Sequence, residues 1–445
     1  MGKERHGKGM ILEREGSERK NSTRFAVGYD LGNSVSQISY SLLGEKEPET
    51  VSTVAGGENY NIPTVLAKRR NVNQWFYGKE ALKAAEDDEG ILVGELLRLA
   101  KEKESVTIEG NSFEPAAMLA LFMKRTMSLF TMIAPIDKIE VFVVTVEELD
   151  RDMIDVLNRA VAGVGLKTEK IYFQSHMESF YYYTIFQPKE LWKYQVLLYD
   201  FCGGHMKTYR MECNRRTTPV VAFIETAEYE TMLLEEFPEE EEEKKRAMER
   251  TDARFTKIVE DTLKNHIVSS AYLIGEGFKE GWMEESLKLL CKKRRVFQGN
   301  NLYSKGACYS GLEKINPSEN GRAHVFLGND KLKSNVGMRV LRKGEDSYLA
   351  LLDAGISWFD AKKEYEILLE SGSEVSVLVT PLNGKQIREV VLHLDGMLER
   401  PERTTRLLMK ISMNGEHTVT AEFTDLGFGE LFAGSGQVWR EEFEV

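Results

Sequence analysis

Two glycine turns, each opened by an aspartate at the end of an apolar run, constrain the fold of this chain more than any other feature. The first turn is Asp30–Ser34, and the second is Asp200–Gly204. Glycine at the end of a strand lets backbone N–H groups approach phosphate oxygens, because no Cβ stands in the way. A third glycine turn lies at Gly275–Phe278. Together the three turns predict an anion-binding cleft built from equivalent strand–turn units.

The stretch between the first two turns alternates predicted strands and helices. The run Val141–Val146 is β-branched and aromatic, as in a strand buried on both faces. A helix is predicted from Leu149 to Ala162, followed by a strand at Lys170–Gln174 and an aromatic helix from Met177 to Phe186. This order indicates an α/β unit around a central sheet. A further helix is predicted over 228–268, with an interruption at Pro238.

The last part of the chain has a different pattern. After about residue 320 the sequence shows short alternating strands separated by turns. Two of these turns carry Asn-Gly, at residues 383–384 and 414–415, and Asn-Gly between alternating strands is a strong hairpin signal. We therefore predict a separate antiparallel β domain at the C-terminal end.

Composition limits the classes of function. The formal net charge is -12, which argues against nucleic acid as the main partner, since phosphate binding needs clustered Lys and Arg. No apolar run approaches the length needed to span a membrane. The four cysteines lie far apart, which is typical of the reducing cytoplasm. The first 24 residues are polar with no apolar core of a signal peptide, and we expect a disordered tail.

Several segments resemble the superfamily of ATPases that contains actin and the seventy-kilodalton heat-shock chaperones. Val27–Ser34 and Leu197–Gly204 are similar to its two phosphate motifs, and Val143–Gly165 is similar to its first connecting segment. Tyr272–Phe278 resembles the adenosine motif, and Lys305–Cys308 resembles the Gly-Ala segment that opens the following helix. The resemblance covers nearly everything after residue 24, and the β domain looks like a looser version of the chaperone peptide-binding β-sandwich.

The resemblance implies an α/β, actin-like domain with two duplicated ribonuclease H-like lobes, followed by an all-β sandwich. The expected domain covers residues 25–318, with lobe I at 25–190, lobe II at 191–318 and a reduced upper subdomain, and the sandwich covers 319–445. Its implied ligand is ATP or ADP with Mg²⁺. The implied nucleotide-binding residues are Gly32, Asn33, Ser34, Gly203, Gly204, His205, Gly275, Glu276, Gly277 and Phe278, with Asp30 and Asp200 holding the metal through water.

The chain also departs from that family at catalytic positions. Cys202 replaces the first glycine of the second phosphate turn, and His205 replaces the threonine that follows it. Gln174 lies where the family has the glutamate that positions the attacking water, and Arg98 is the only basic residue near the expected lysine. Gln174 is therefore the candidate catalytic residue, as a group that orients water. We expect nucleotide binding with slow or no hydrolysis.

Two functions remain open at this point. One is an ATP-dependent, chaperone-like protein that lacks the helical lid and binds unfolded peptide or a protein partner through the β domain. The other is a pseudo-ATPase scaffold or sensor, with a fixed β domain for protein interaction and no nucleotide-driven cycle. A polymerising cytoskeletal protein is less favoured, because a filament would have to accommodate the appended β domain.

Overall fold

The computed structural model describes residues 23–445 apart from 46, 55, 203, 234–236, 300, 329, 383–385 and 416. The predicted disordered tail, residues 1–24, lies outside the described residues except for its last two positions. The Asn-Gly signal at 383–384 also lies outside them. Within the described part of the chain, no helix is long and apolar enough to cross a membrane.

The first unit of the fold extends to residue 185. Its strands are β1 (Phe25–Leu31), β2 (Val35–Leu42), β3 (Glu49–Thr50), β4 (Ile62–Pro63), β5 (Leu66–Arg69), β6 (Trp75–Tyr77), β7 (Gly90–Val93), β8 (Val106–Ile108), β9 (Asn111–Phe113), β10 (Ile139–Val146) and β11 (Ile171–Ser175). Its helices are α1 (Gly78–Glu86), α2 (Leu96–Glu102), α3 (Pro115–Phe130), α4 (Arg151–Ala162) and α5 (His176–Ile185).

The central sheet of the first unit has the strand order β11-β10-β1-β2-β3, with β4 also pairing β2. β1 runs parallel to β10 and antiparallel to β2, and β10 runs parallel to β11. The predicted strand at Val141–Val146 is confirmed, and every residue of that run is buried. Burial on both faces explains why β10 reads as a continuous apolar run.

The second unit begins after α5. Its strands are β12 (Gln195–Cys202), β13 (His205–Asn214), β14 (Val220–Leu233), β15 (Val268–Ile274), β16 (Arg295–Gln298) and β17 (His324–Phe326). Its helices are α6 (Glu241–Leu263), α7 (Glu285–Leu290), α8 (Leu302–Ile315) and α9 (Glu319–Ala323). Short 3-10 turns lie at Lys189–Trp192 and Glu276–Phe278.

The second sheet repeats the strand arrangement of the first. Its order is β16-β15-β12-β13-β14-β17. β12 runs parallel to β15 and antiparallel to β13, and β15 runs parallel to β16. The strands β11-β10-β1-β2-β3 of the first sheet therefore match β16-β15-β12-β13-β14 of the second. If each set of five is numbered in chain order, both sheets follow the order 5-4-1-2-3. The two units share one topology, although their loops and helices differ in length.

Helices α5 and α8 lie between the two sheets. A methyl group on Gly28 of β1 would lie 2.2 Å from the Ser304 carbonyl oxygen of α8. A methyl group on Gly306 would lie 2.0 Å from the Ser179 carbonyl oxygen of α5, so α8 contacts both β1 and α5 through glycine. On its other side, α5 places Phe180 against the second sheet. The remaining faces of the sheets are covered by α3 and α4 and by α6 and α7, respectively.

The predicted helix over 228–268 is wrong in its first part. Residues up to Leu233 form the long strand β14, and the helix starts only at Glu241. β14 pairs along β13 from Asn214 to His205, and that ladder outweighs the local helical preference of the glutamates. The predicted boundary at residue 319 also does not divide the sheets, because β17 pairs in parallel with β14.

The C-terminal part is rich in strands, as predicted. It contains β18 (Ser334–Arg342), β19 (Glu345–Leu352), β20 (Lys362–Leu369), β21 (Glu374–Pro381), β22 (Arg388–His393), β23 (Thr405–Met413), β24 (Thr418–Asp425), β25 (Gly427–Phe428), β26 (Phe432–Ala433) and β27 (Val438–Glu444). They form antiparallel sheets in the orders β19-β18-β21-β22 and β20-β23-β24-β27, with β25 and β26 as a separate pair. The alternating buried residues of both sheets share one apolar core.

A buried ion pair joins this part to the first unit. Lys331 Nζ lies 2.6 Å from Glu178 Oε2 on α5 and 3.2 Å from the Asp330 carboxylate. The same amine donates to Ser357 Oγ at 2.7 Å. The side chains of Lys331 and Glu178 are 4% and 3% exposed. Because both charges are buried, moving the C-terminal part away from α5 would leave Glu178 without its cation, while Lys331 would keep Asp330.

Candidate functional site

A cleft of about 450 Å³ lies between the two sheets, within the size range of small-molecule sites. The turn after β1 and the turn after β12 enter it from opposite sides. Asp30 pairs with Thr145 of the parallel strand β10, and Asp200 pairs with Ile274 of the parallel strand β15. The two aspartates therefore occupy equivalent positions in the two sheets.

Local chemistry explains the first turn. The Gly32 N–H donates to the Val35 carbonyl oxygen at 3.2 Å. A methyl group on Gly32 would lie 2.6 Å from that oxygen, so only glycine allows this tight connection. Asn33 Oδ1 accepts a hydrogen bond at 2.9 Å from the Arg98 N–H, which ties the turn to α2.

Most of the predicted site residues line this one cleft. They are Asp30, Gly32, Asn33, Ser34, Asp200, His205, Gly275 and Glu276. Gly203 lies outside the described residues. Gly204 adopts a positive φ of 86°, which forms the second turn, but it is not part of the cleft lining. The structure thus brings together residues that are more than 200 positions apart in sequence.

Three predicted residues have other positions. Phe278 is 1% exposed and belongs to the core under the second sheet. Gly277 packs on the Phe201 ring, where a methyl group would lie 2.2 Å from Cδ1. Gln174 is 1% exposed, and its Nε2 donates to Ser179 Oγ at 2.7 Å. Because Gln174 does not line the cleft, it is not placed to orient water there.

His176, at the start of α5, lines the cleft instead of Gln174. Its Nε2 donates to Asp30 Oδ1 at 2.8 Å, and both side chains are largely buried. Burial alone would lower the pKa of His176, but the neighbouring Asp30 carboxylate raises it above its ordinary value. When it is protonated, the imidazole places a positive charge beside the first aspartate.

The second aspartate has an aromatic partner. The Tyr303 hydroxyl, on α8, donates to Asp200 Oδ2 at 2.7 Å. Burial raises the pKa of Asp200 to about 6, even though the Tyr303 hydrogen bond acts in the opposite direction. The His176 and Tyr303 rings stack with their centroids 3.8 Å apart. One continuous series of contacts thus connects Asp30 of the first sheet to Asp200 of the second.

Lys207 of β13 is the only lysine or arginine among the described residues of the cleft lining. Its Nζ lies 2.9 Å from Glu147 Oε1, at the end of the first sheet, and 3.1 Å from Glu228 Oε1 on β14. Glu148 is also within 3.8 Å of it. Burial lowers the pKa of Lys207, but the hydrogen bonds and charges of Glu147 and Glu228 together outweigh that effect, and the pKa is raised. Lys207 is charged and bridges the two units.

The cleft as a whole is acidic. Six carboxylates line it, from Asp30, Glu95, Glu147, Asp200, Glu228 and Glu276, against the single ammonium of Lys207. The imidazolium of His176 compensates one more charge. A bare polyphosphate would be repelled by this surplus, so an anionic ligand has to arrive with a cation that offsets its charge.

The oxygen atoms left unpaired in the cleft suit a hydrated Mg²⁺ ion. Asp30 Oδ2 and Asp200 Oδ1 form no hydrogen bond within the described residues, and the buried Gln37 Oε1 has no partner. Gln37 pairs across the strands with Asp30. Three acceptor oxygens can therefore receive hydrogen bonds from metal-bound water. No group of three or more His, Cys, Asp or Glu side chains in the described part has direct metal-ligand geometry.

Several residues of the cleft lining carried no sequence signal. Glu147 and Lys207 sit in ordinary strand-end sequences, and Tyr303 opens an aromatic helix. Gln37 was not distinctive either, because the strand β2 that follows the first turn also contains three serines. His176 was not among the predicted site residues, although it lies two positions after Gln174. Their convergence depends on the packing of α5 and α8 between the sheets.

Comparison with known families gives two matches. A family described as "Family of unknown function (DUF5716) C-terminal" matches residues 47–329. A second, described as "Domain of unknown function (DUF8552)", matches residues 331–445. The division between the two matches falls beside Lys331, where the buried ion pair joins the C-terminal part to α5. No curated protein matches the chain.

Proposed function

The chain belongs to the DUF5716 family of unknown function, and on that premise we propose that it binds a magnesium–nucleotide complex between its two sheets with slow or no hydrolysis. The observation that carries the proposal is the pairing of the two turns. Each follows the first strand of a sheet with the same strand order, and both face one cleft.

The repeated topology supports an actin-like fold for the first two units. In each sheet the first strand is antiparallel to the second and parallel to the fourth. This is the arrangement implied by duplicated ribonuclease H-like lobes. The short connection from β14 to β15, which contains little besides α6, is consistent with a reduced upper subdomain.

The acidic cleft supports a metal-dependent mode of binding. Turn amides near Gly32 and His205, which both line the cleft, would meet phosphate oxygens, while hydrated Mg²⁺ would offset the charges of Asp30 and Asp200. The metal would supply charge neutralisation, and the protein would position it through water. The ligand and the ion are therefore expected to bind together.

Slow turnover follows from the state of the polar groups. Lys207 is held by glutamates, so its charge is already offset and is not free to stabilise a developing phosphate charge. Gln174 is buried away from the cleft. Loss of one preorganised catalytic group costs on the order of 10² in rate. We therefore expect the bound nucleotide to be hydrolysed slowly or not at all.

The second candidate is a scaffold with no nucleotide-driven cycle, and one observation favours it. The Lys331–Glu178 pair holds the C-terminal part on α5 in a buried contact. In a nucleotide-driven chaperone-like cycle, this part would have to change its position or its affinity for peptide. In the scaffold, the β part presents a protein-interaction surface that is independent of the cleft.

Isothermal titration calorimetry with ATP, in magnesium and in EDTA, tests the first proposal. We expect heat only with magnesium, and we expect the Asp30→Asn plus Asp200→Asn variant to lose it. Asp152→Asn plus Asp155→Asn is the matched control, because it removes the same charge from the exposed face of α4. Absence of heat in the wild type under both conditions would rule out nucleotide binding and leave the scaffold.

If ATP binds, the affinity of the full chain for an unfolded peptide separates the two candidates further. An affinity that changes with ATP and magnesium supports a coupled, chaperone-like cycle. Equal affinities with and without nucleotide support the scaffold. The Asp152→Asn plus Asp155→Asn variant should behave like the wild type in either case.

A further inference from the structure

A second recess lies at the end of the second sheet opposite the cleft. Two adjoining cavities, of about 820 and 560 Å³, share Lys193 and Arg215 in their walls and form one groove, here called the basal groove. Its walls come from the residues before β12, the β13–β14 connection and the residues before β15. The cleft lies at the carboxyl ends of β12 and β15, so the basal groove is a separate site at their amino ends.

The basal groove carries the opposite charge to the cleft. Its lining contains four cations, Lys189, Lys193, Arg215 and Arg216, and two carboxylates, Glu190 and Glu212. The surplus is therefore 4 − 2, or two positive charges, on a chain whose net charge is -12. Such a local reversal of sign attracts anionic ligands that the rest of the surface repels.

These cations are available to a ligand. Within the described residues, Lys193 and Arg216 form no ion pair with a carboxylate, and both are exposed. Arg215 is anchored at the junction of the two cavities, because its Nη2 donates to the carbonyl oxygens of Trp192 and Lys193 at 3.3 and 3.0 Å. Among the residues that the structure describes, its other guanidinium nitrogens form no hydrogen bond. The positive charge of the groove is thus positioned by the fold but not neutralised by it.

One buried acceptor in the groove lacks a donor. Gln195 Nε2 donates to Glu212 Oε2 at 2.8 Å, while Gln195 Oε1 is buried and has no partner. An unsatisfied buried acceptor costs about 1–3 kcal/mol. A ligand that brings an N–H donor would relieve this cost. A backbone amide provides such a donor, whereas a simple carboxylate does not.

Two apolar side chains lie in the same lining. Tyr194 is 51% exposed and Ile267 is 67% exposed. Both flank the strand ends, so a ligand that reaches the cations also covers them. Their exposure is unfavourable in water and favours a ligand with an apolar group beside its charge.

We propose that the basal groove binds an acidic peptide segment of a partner protein. The carboxylates of the peptide contact Lys193 and Arg216, and one of its backbone N–H groups donates to Gln195 Oε1. An apolar side chain of the peptide packs on Tyr194 and Ile267. This function is independent of the nucleotide cleft, since the two sites share no residue. It also lies outside the β part that was expected to bind peptide.

Fluorescence anisotropy with a short labelled peptide of alternating Glu and Leu tests the proposal on the full chain. We expect saturable binding that weakens with salt, and a loss of at least roughly tenfold in the Lys193→Glu plus Arg216→Glu variant. Lys292→Glu plus Lys293→Glu is the matched control, since it makes the same charge change at exposed positions outside the groove. The control should bind within about twofold of the wild type.

Two further measurements keep the result decisive. Ile267→Ser leaves every charge in place and should weaken the Glu-Leu peptide while leaving oligoglutamate unaffected. No binding of the Glu-Leu peptide at low salt would overturn the proposal. So would an equal loss in the two charge-reversed variants, or oligoglutamate binding as tightly as the Glu-Leu peptide. Matching melting temperatures of the variants confirm that folding is not the cause.

Discussion

The His176 and Tyr303 rings stack at a centroid distance of 3.8 Å, and each ring also bonds an aspartate from a different sheet. Asp30 and Asp200 are the residues on which a metal site was predicted, and in this structure both have protein donors. The stack thereby connects an aspartate of the first sheet to an aspartate of the second, and His176 lowers the pKa of Asp200 through its charge.

Asp200 should make folding less favourable as the pH rises. Its pKa of about 6 in the folded state lies above the unfolded value of 3.8, so the folded protein binds the extra proton between these values. Stability contributed by this group therefore falls from about pH 4 to pH 6. Asp200→Asn keeps an acceptor for Tyr303 and should stabilise the protein at pH 7 by about 1–3 kcal/mol.

Thermal unfolding at pH 7 and pH 4 checks this expectation. The gain in melting temperature of Asp200→Asn should shrink at the lower pH, where the wild-type carboxyl is protonated. A gain that is equal at both values would show that the effect does not come from the charge of Asp200.

His176 should act in the same pH direction as Asp200, but over a higher pH range. Burial lowers the pKa of His176, but Asp30 raises it, and the folded pKa lies above its ordinary value. Its contribution to stability is therefore complete below the unfolded value of about 6.5 and disappears as the pH rises through the folded pKa. Asp30→Asn should lower the pKa of His176. Imidazole NMR titration measures the shift, with His176→Gln identifying the resonance, and an unchanged pKa would contradict the assigned ion pair.

Lys207 should hold the two units together. It joins Glu147 of the first unit to Glu228 of the second, while its own side chain is only 15% exposed. Lys207→Met keeps the length of the side chain but removes the charge that offsets these carboxylates. We expect a loss of about 1–3 kcal/mol in the free energy of unfolding.

Urea unfolding of the wild type and of Lys207→Met measures this difference in the free energy of unfolding. Lys288→Met is the matched control, because Lys288 also pairs with two glutamates but lies on the exposed helix α7. The control should lose less stability than Lys207→Met, because water screens exposed pairs. Equal losses would mean that bridging the two units adds nothing.

Replacing Lys331 alone should destabilise the protein strongly, and replacing Lys331 and Glu178 together should destabilise it less. Lys331→Met leaves Glu178 buried without its cation, for which we expect a loss of about 3–5 kcal/mol. Adding Glu178→Leu should recover the part of the loss that comes from the unpaired Glu178 carboxylate, while Asp330, which also contacts Lys331, stays buried without its cation. A double-mutant cycle by urea unfolding measures the coupling. Additive losses would contradict a direct pair.

Gly306 should be irreplaceable where α8 crosses α5. An added methyl group would lie 2.0 Å from the Ser179 carbonyl oxygen, which belongs to rigid helix backbone. Gly306→Ala should therefore destabilise the protein by more than about 2 kcal/mol, despite the better helix propensity of alanine. Gly311→Ala on the same helix meets only valine side chains, the nearest at 3.2 Å, and should cost much less. Calorimetric melting compares the two, and similar effects would contradict the close crossing.

The sequence was sufficient to predict the strand–turn units and the change to a β-rich C-terminal part. Burial on both faces makes β10 a continuous apolar run, and the turns after β1 and β12 need glycine at specific backbone positions. Such features depend on neighbouring residues, so they can be predicted from the sequence without a structure. The helix predicted across Glu228 was wrong, because the β13–β14 ladder is a long-range pairing that no local propensity records.

The cleft shows the same division more sharply. Sequence alone determined that Asp30 and Asp200 end buried strands at glycine turns, because strand burial and turn geometry depend on residues that are adjacent in sequence. Only the tertiary structure decided that His176 and Tyr303 would bond them, that Lys207 would join Glu147, and that Gln174 would be buried elsewhere. Those partners come from separate elements, and their meeting depends on how α5 and α8 pack between two sheets.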